Sequence, residues 1–520
     1  QDTSLWLGGS HTWQAPQQEG DFTHKISGLS EDSVYYYRFM AENDAGRSWA
    51  FQTSVFLTSE IEFEEVSDAQ FSALIPGEVR IHRKDTVTAN PLKVYYSIGG
   101  TAIPGLEYSE LPGVVTIPAG ETYATISIQP LPVYPMPQTK TVELELLSGP
   151  YIIGNQSIAK IEIFVENTTS WRKCMPITFP GYTNNATLTN FPALIVLEET
   201  DTGLGFYYSD FLSPPYGDLR FVAYDRMTPL NFEVETWDTG DKSYVWVRIP
   251  ELTQDTKIYA LWGMAGANTP PPNVSEKVWH DGFAGVWHLN DSDNVYDSTV
   301  NKNHGTPKGG VNIDVNGITG SALAFNGSNG YIDCGSGLMM HYNSITLSVW
   351  FKTDELPTSE KVIIGKSVNS NTGQRYFISM SDLFRARFRG SSLVTASTAC
   401  LPSHYDNTWH QLTAVFNRKD DLKLFLDGEL MQSASMASQV GYDMDRAYKF
   451  FIGVHANSSG NAPLASSYFL GSLDEARMMM EAVPDDWVWA TYQNMAENNS
   501  FNSHGEIVSH LPVGTVYVFW

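Results

Sequence analysis

The run Arg385-x-Arg387-x-Arg389 places three guanidinium groups at alternate positions. Successive side chains of a strand point to opposite faces, so the three project to one side. In a chain whose formal net charge is −26, such a basic face suits a sulfated or carboxylated glycan held bidentately. The plainer reading is an exposed sheet face neutralised by nearby acids. Tyr376 and Tyr405 offer aromatic faces to sugar C–H groups and complete the predicted ligand-binding set. Trp350 and Trp409 read as core residues.

Other residue types bear on catalysis. Glu233, Glu235, Asp238 and Asp241 gather on one predicted hairpin, which reads as a solvated edge that blocks strand pairing. A retaining glycosidase needs two carboxylates about 5–5.5 Å apart. Glu143 and Glu145 share one face of a strand, and Asp354-Glu355 falls in a loop. Neither pair carries a hydrolase signature. Of the 12 histidines, only His280 and His288, beside Trp279 and Trp287, lie close together, and no third zinc ligand accompanies them. G-x-S-x-G, H-E-x-x-H and P-loop motifs are absent. The expectation is a binding protein and not an enzyme.

The elements that position these residues follow from composition. Aromatics make up 13% and charged residues only 17% of the chain, below the roughly 25% charged of soluble domains. That balance favours strands and turns over helices. The 520 residues predict three to five domains at about 100–200 residues each. The acidity disfavours nucleic acid and anionic membranes and suits divalent cations or neutral glycans. No apolar run reaches the roughly 18 residues of a membrane span. Cys174, Cys334 and Cys400 read as small buried hydrophobes, with a Cys334–Cys400 bridge as the alternative. The opening Gln1-Asp2-Thr3 reads as a processed or excised terminus.

Five segments follow, each on its own motifs. In 1–58, Leu29 and Tyr35 with the turn Asn43-Asp44-Ala45-Gly46 resemble the later half of a fibronectin type III domain. Such domains need about 100 residues, so the first strands are missing or supplied from elsewhere. In 59–168, Gly100-Thr101-Ala102, Glu107-Tyr108 and Val115-Thr116-Ile117-Pro118-Ala119-Gly120-Glu121 resemble a Calx-beta domain. That family binds calcium through clustered acids, near which Glu64 and Glu107 fall. Its Asp-rich run is replaced by Pro130–Pro137, so a structural role is expected. In 169–278, Asn190-Phe191-Pro192-Ala193-Leu194 and Ile258–Gly263 resemble the domain of unknown function numbered 2341, which implies a β-sandwich and no chemistry.

In 279–497, Gly285-Val286-Trp287-His288-Leu289, Leu347-Ser348-Val349-Trp350, Leu424-Phe425-Leu426-Asp427-Gly428 and Gly471-Ser472-Leu473-Asp474-Glu475 resemble a laminin-G-like, concanavalin A-like jelly roll. The resemblance implies glycan or protein binding and one structural Ca2+. Asp474 is its expected ligand, Asp297 the second, and carbonyls near Gly330 the rest. The other reading of Asp474 is a turn cap or a partner of Arg477. Some jelly-roll relatives are glycoside hydrolases, but their E-x-D-x-x-E signature is absent here. The tail 498–520 ends in the apolar Val513–Trp520. It reads as the start of another sandwich or as a strand pairing with an open edge, within one chain or between copies.

The expected fold is all-β: tandem β-sandwiches ending in a concanavalin A-like jelly roll. The combination resembles secreted or cell-surface bacterial adhesins. The jelly roll would bind a glycan or a surface protein, and the other domains would act as spacers. Two alternatives stand. One is a filament or surface-layer subunit that self-associates through its termini; the other is an accessory module of a polysaccharide-degrading enzyme.

Overall fold

A computed structural model describes residues 34–509 apart from 44, 58, 72–73, 85–90, 132–138, 165–170, 201–204, 227, 268–275, 280–281, 315 and 445. The strands predicted from alternation are present, and the protein is nearly all β. His280, Leu29 and the apolar end of the tail lie outside the described residues.

The chain divides into two units. The first comprises residues 1–69, 76–129 and 140–163. Near its start two antiparallel pairs form, Val34–Tyr37 with Ser54–Leu57 and, between them in sequence, the hairpin Met40–Asn43 with Gly46–Trp49. A four-stranded sheet follows in the order Tyr123–Ile128, Gly77–Arg83, Glu60–Ser67, Ile152–Ile153. In a second sheet Lys140–Leu146 pairs with Leu92–Gly100, which pairs with Val114–Ile117. Alternation decides burial. Val79, Ile81, Val142 and Leu144 are inside, whereas Glu143 and Glu145 face solvent. Glu64 pairs with His82 at 2.6 Å, and Glu107 with Lys140 at 3.3 Å.

The second unit comprises residues 70–75, 130–139 and 164–520. Its first sandwich contains β1 (Lys173–Thr178), β2 (Leu188–Leu197), β3 (Phe232–Thr236), β4 (Ser243–Leu252) and β5 (Lys257–Trp262). β5 lies between β1 and Arg220–Val222 in one sheet, and β2, β4 and β3 form the other in that order. Ser503–His504 and Val508–Ser509 of the tail pair with β1 on its free side.

The jelly roll contains β6 (Phe283–Trp287), β7 (Ile345–Lys352), β8 (Lys361–Lys366), β9 (Arg375–Met380), β10 (Leu383–Arg389), β11 (Leu393–Ala399) and β12 (Leu470–Met479). β12 is the hub of an eight-stranded sheet and pairs with β6, β7 and Ala322–Asn326. β8, β9, β10 and β11 are consecutive in the opposing seven-stranded sheet. Between the sheets lies a core of Trp287, Leu347, Phe351, Ile378, Phe384, Phe388 and Met478, among others.

The outer face of the eight-stranded sheet is also apolar. Trp350, Val415, Phe425 and Met479 join Phe191, Trp246 and Trp262 in one continuous core with the preceding sandwich. Hence strands that read as two-sided hydrophobic runs, such as β7, are buried on both faces. The helix α1 (Asp485–Ala496) closes this core with Trp487, Val488 and Ala490. Asn494 accepts from the Leu194 N–H at 2.6 Å and donates to its carbonyl at 3.1 Å. Asn498 and Asn502 reach the same carbonyl at 2.9 and 3.1 Å. These amides satisfy backbone groups on the free side of β2, an edge that would otherwise invite pairing.

Candidate functional site

Two groups of polar residues stand out in the second unit: a buried acid–imidazole centre, and an arginine face on the outer side of the seven-stranded sheet.

The centre is assembled by two β-bulges. In β3, Val234 pairs with Val245 and Thr236 with Tyr244, so Glu235 is the extra residue. In β12, Arg477 pairs with Ser348 and Asp474 with Trp350, which inserts one residue there. Glu475 at that insertion takes a left-handed φ of 47°, a conformation costing about 1–3 kcal/mol outside glycine. Bulges re-aim side chains; here they turn Glu235 and Glu475 toward His288, which directly follows β6.

His288 Nδ1 lies 2.5 Å from Glu475 Oε1 and 3.6 Å from Glu235 Oε2, and Nε2 lies 3.5 Å from Glu233 Oε2. Arg477 donates to the other oxygen of Glu475 at 2.5 Å. Its guanidinium lies 4.4 and 4.9 Å from the ring centroids of Trp246 and Trp279. The indoles themselves donate to the acids, Trp246 Nε1 to Glu235 Oε2 at 2.7 Å and Trp279 Nε1 to Glu233 Oε2 at 2.5 Å. Ser298 donates to Glu233 Oε1 at 2.7 Å. The side chains of Glu235 and Glu475 are fully buried, and that of Glu233 is 15% exposed.

Burial and charge then distribute the protons. Burial, reinforced by Glu475, raises the Glu235 carboxyl to about 8, against the pull of His288. Glu475 resists the same burial because His288 and Arg477 hold it at about 2. Burial alone would lower His288, but Glu475, then Glu235 and Glu233, keep it well above the ordinary histidine range. A cavity of about 170 Å³ adjoins this centre, lined by Glu233, Glu235, His288, Asn290, Tyr296 and Ser298 among others.

This overturns the reading of Glu233 and Glu235 as a solvated hairpin edge. Asp238 and Asp241 at its tip are exposed, but the two glutamates are drawn inward by the bulge and held by indole N–H donors. His288 does find carboxylate partners, on strands distant in sequence.

The expected calcium ligands are engaged otherwise. Asp474 is fully buried. One of its oxygens accepts from the Ile318 and Thr319 N–H groups at 2.8 and 3.4 Å, the other from the Glu475 N–H at 2.8 Å. Burial, with Glu475 and Glu235 nearby, pushes its carboxyl well above the usual range. It therefore caps the Ile318 turn, and Arg477 pairs with Glu475 instead. Asp297 accepts from the N–H groups of Val286, Thr299 and Asn303 and the Thr299 hydroxyl. Calcium needs six to eight oxygens, and these two carboxylates are saturated by N–H and O–H donors. They do not fit the ion. All three cysteines are free and buried.

The arginine face is set by register. β9 and β10 pair Arg375 with Arg389, Phe377 with Arg387 and Ser379 with Arg385. The intervening Tyr376, Ile378, Phe384, Ala386 and Phe388 belong to the core. Tyr376 is therefore no surface aromatic: it is 1% exposed and donates to the Leu338 carbonyl at 2.7 Å. Tyr405 ends the Pro402–His404 turn, half-buried against the jelly-roll core. Trp350 is core, whereas Trp409 is half-buried under Lys352.

Register added Arg375 to the three predicted arginines. Arg387 pairs with Glu360 at 2.7 Å and Arg385 with Asp382 at 3.2 Å. Arg389 has no hydrogen-bond or acidic partner among the described residues. The Nε donors of Arg375 and Arg387 are buried without partners. Burial, then Arg389 and Arg387, lowers Arg375 below the usual arginine range.

Residues 326–488 match the model of the concanavalin A-like lectin/glucanases superfamily, and residues 215–289 that of the domain of unknown function DUF2341. A search of curated proteins finds no match. Among solved structures, the binding domain of Paraclostridial Mosquitocidal Protein 1 is 17% identical over 42% of this chain and 53% of its own, with a TM-score of 0.35. The botulinum neurotoxin serotype D ligand binding domain in complex with N-acetylneuraminic acid is 17% identical over 41% and 51%, with a TM-score of 0.33. The chain spans about half the length of these structures.

Proposed function

We propose that this chain is a secreted or cell-surface carbohydrate-binding protein whose jelly roll holds an acidic glycan on the arginine face. The observation that carries this is the pairing of Arg375 against Arg389, with Arg387 beside them, in a chain of net charge −26. Like charges placed opposite each other on one sheet face are destabilising. Glu360 pairs with Arg387 and acts more weakly on Arg375, whose guanidinium donates to the Val368 and Ser370 carbonyls; Arg389 has no such partner among the described residues. A sulfate or carboxylate would neutralise the guanidinium charge that remains. The match of residues 326–488 to a lectin and glucanase superfamily supports carbohydrate as the ligand class.

On this reading the chain binds and does not hydrolyse. The segments resembling fibronectin type III and Calx-beta domains act as spacers in an adhesin, consistent with a bacterial exoprotein. No described helix is long and apolar enough to cross a membrane.

The test is binding of the full chain to sulfated, sialylated and neutral glycans on an array, followed by titration. Replacing Arg387 and Arg389 by Ala removes charge-assisted bonds worth about 1.5–3 kcal/mol each, so affinity for the sulfated or sialylated ligand should fall by at least about 10-fold. Binding should weaken with salt. Equal binding by the double variant, or a preference for neutral glycans, would defeat this reading.

A further inference from the structure

The acid–imidazole centre takes no part in that reading, and its geometry is over-specified for a simple ion pair. One carboxylate oxygen each from Glu235 and Glu475 and a ring nitrogen of His288 lie within 4.8 Å of one another. They arrive on three separate segments of two sandwiches. The pair of Glu475 with Arg477 and His288 is complete without Glu235. Yet both bulges bring the two glutamates together, and Glu235 Oε1 is left buried with no well-formed hydrogen bond, the Thr319 side chain lying beside the carboxylate.

Each residue is also held by a neighbour outside the cluster. Glu235 Oε2 accepts from Trp246, Glu475 Oε2 accepts from Arg477, and His288 Nε2 faces Glu233. In the ion-free centre His288 Nδ1 and Glu475 Oε1 hold each other through one proton, the place an ion would take, and a carboxylate behind the imidazole is the usual way of orienting a ligating histidine. An ion with donors at about 2.0–2.2 Å needs them roughly 3–4 Å apart, so Glu235 has to close by about 1 Å while the 2.5 Å contact between His288 and Glu475 opens as the ion replaces its proton. The adjoining cavity of about 170 Å³ has room for water at the open positions.

We propose that Glu235, His288 and Glu475 form a site for one divalent transition-metal ion of the zinc class, with Glu233 as a positioning residue. One imidazole nitrogen and two carboxylates suit zinc, cobalt or manganese. They do not suit calcium, which takes more and exclusively oxygen ligands. The ion binds β3 of one sandwich to β12 and the segment after β6 of the next.

The experiment uses the full chain, stripped with chelator and titrated with Zn2+ or Co2+. One ion should bind per chain, Co2+ should give visible d–d absorption that Zn2+ abolishes, and the fluorescence of Trp246 and Trp279 should change. Ca2+ and Mg2+ at the same concentration should do none of this. Glu235→Gln and His288→Gln should each weaken Zn2+ at least about 10-fold, and Glu233→Gln should weaken it about 10-fold and alter the cobalt spectrum. Absence of saturable Zn2+ binding, or equal binding by the Glu235 and His288 variants, would overturn the proposal. Should either variant fail to fold, the wild-type cobalt spectrum decides: a band that Zn2+ abolishes supports the site, and no band refutes it.

Discussion

Replacing Glu475 by Gln keeps the shape of the side chain and removes the one carboxylate that faces both His288 and Arg477. Its cost follows from the structure in two ways. Glu475 is held at about 2 against an ordinary 4.5, which at about 1.4 kcal/mol per pH unit corresponds to roughly 3 kcal/mol. Independently, removing one partner of a buried ion pair costs about 3–5 kcal/mol, because the other charge is left unpaired in the interior. Arg477 would keep the faces of Trp246 and Trp279, each worth about 0.5–2 kcal/mol, its contact with Met495 Sδ and at most a neutral amide acceptor. A loss of about 3–5 kcal/mol lowers the melting temperature of a domain of this size by roughly 6–20 °C. The assay is thermal unfolding followed by tryptophan fluorescence at neutral pH. The exposed Glu429→Gln serves as control and should stay within about 0.5 kcal/mol of wild type. Adding Arg477→Met to Glu475→Gln should recover much of the loss, since a buried ion pair replaced by apolar groups is often near neutral. If Glu475→Gln alone melts within about 1 °C of wild type, the charge of Glu475 does not stabilise Arg477 and His288, and the reasoning fails.

The same centre should respond to pH. Glu235 is raised to about 8 in the folded chain, so its contribution is fully present below its unfolded value near 4.5 and is lost as pH rises through 8. Chelator-treated protein should therefore lose stability between pH 5 and pH 8, by up to about 4 kcal/mol, and Glu235→Gln should flatten that slope; parallel wild-type and variant melting curves would contradict it. Asn494→Ala leaves the Leu194 N–H without its acceptor, which should cost about 1–3 kcal/mol and speed amide exchange at Leu194; unchanged exchange there would show that the asparagine series is dispensable.

Alternation and composition determined a great deal. Period-two burial specified the strands of both units, and the ordered motifs around Trp287, Trp350 and Asp427-Gly428 identified the jelly roll, because each marks a core or turn position that local sequence dictates. Alternation also put Arg385, Arg387 and Arg389 on one face. It did not reveal that Tyr376 lies on the other face of the sheet or that Arg375 joins the three. That depends on Arg375 meeting Arg389 across β9 and β10, and a shift of one residue would have exchanged the faces. The helix α1 and the Asn494–Asn498–Asn502 series that begins in it and continues past its end were not legible either, since their partner, Leu194, lies some 300 residues earlier. Glu233, Glu235, His288 and Glu475 carried no shared spacing. Two bulges, each adding one residue to its strand, turn the acids inward, and only the packing of one sandwich on the next brings them to the imidazole. Acids on a hairpin are solvated unless tertiary structure supplies donors, and here those donors are the indoles of Trp246 and Trp279.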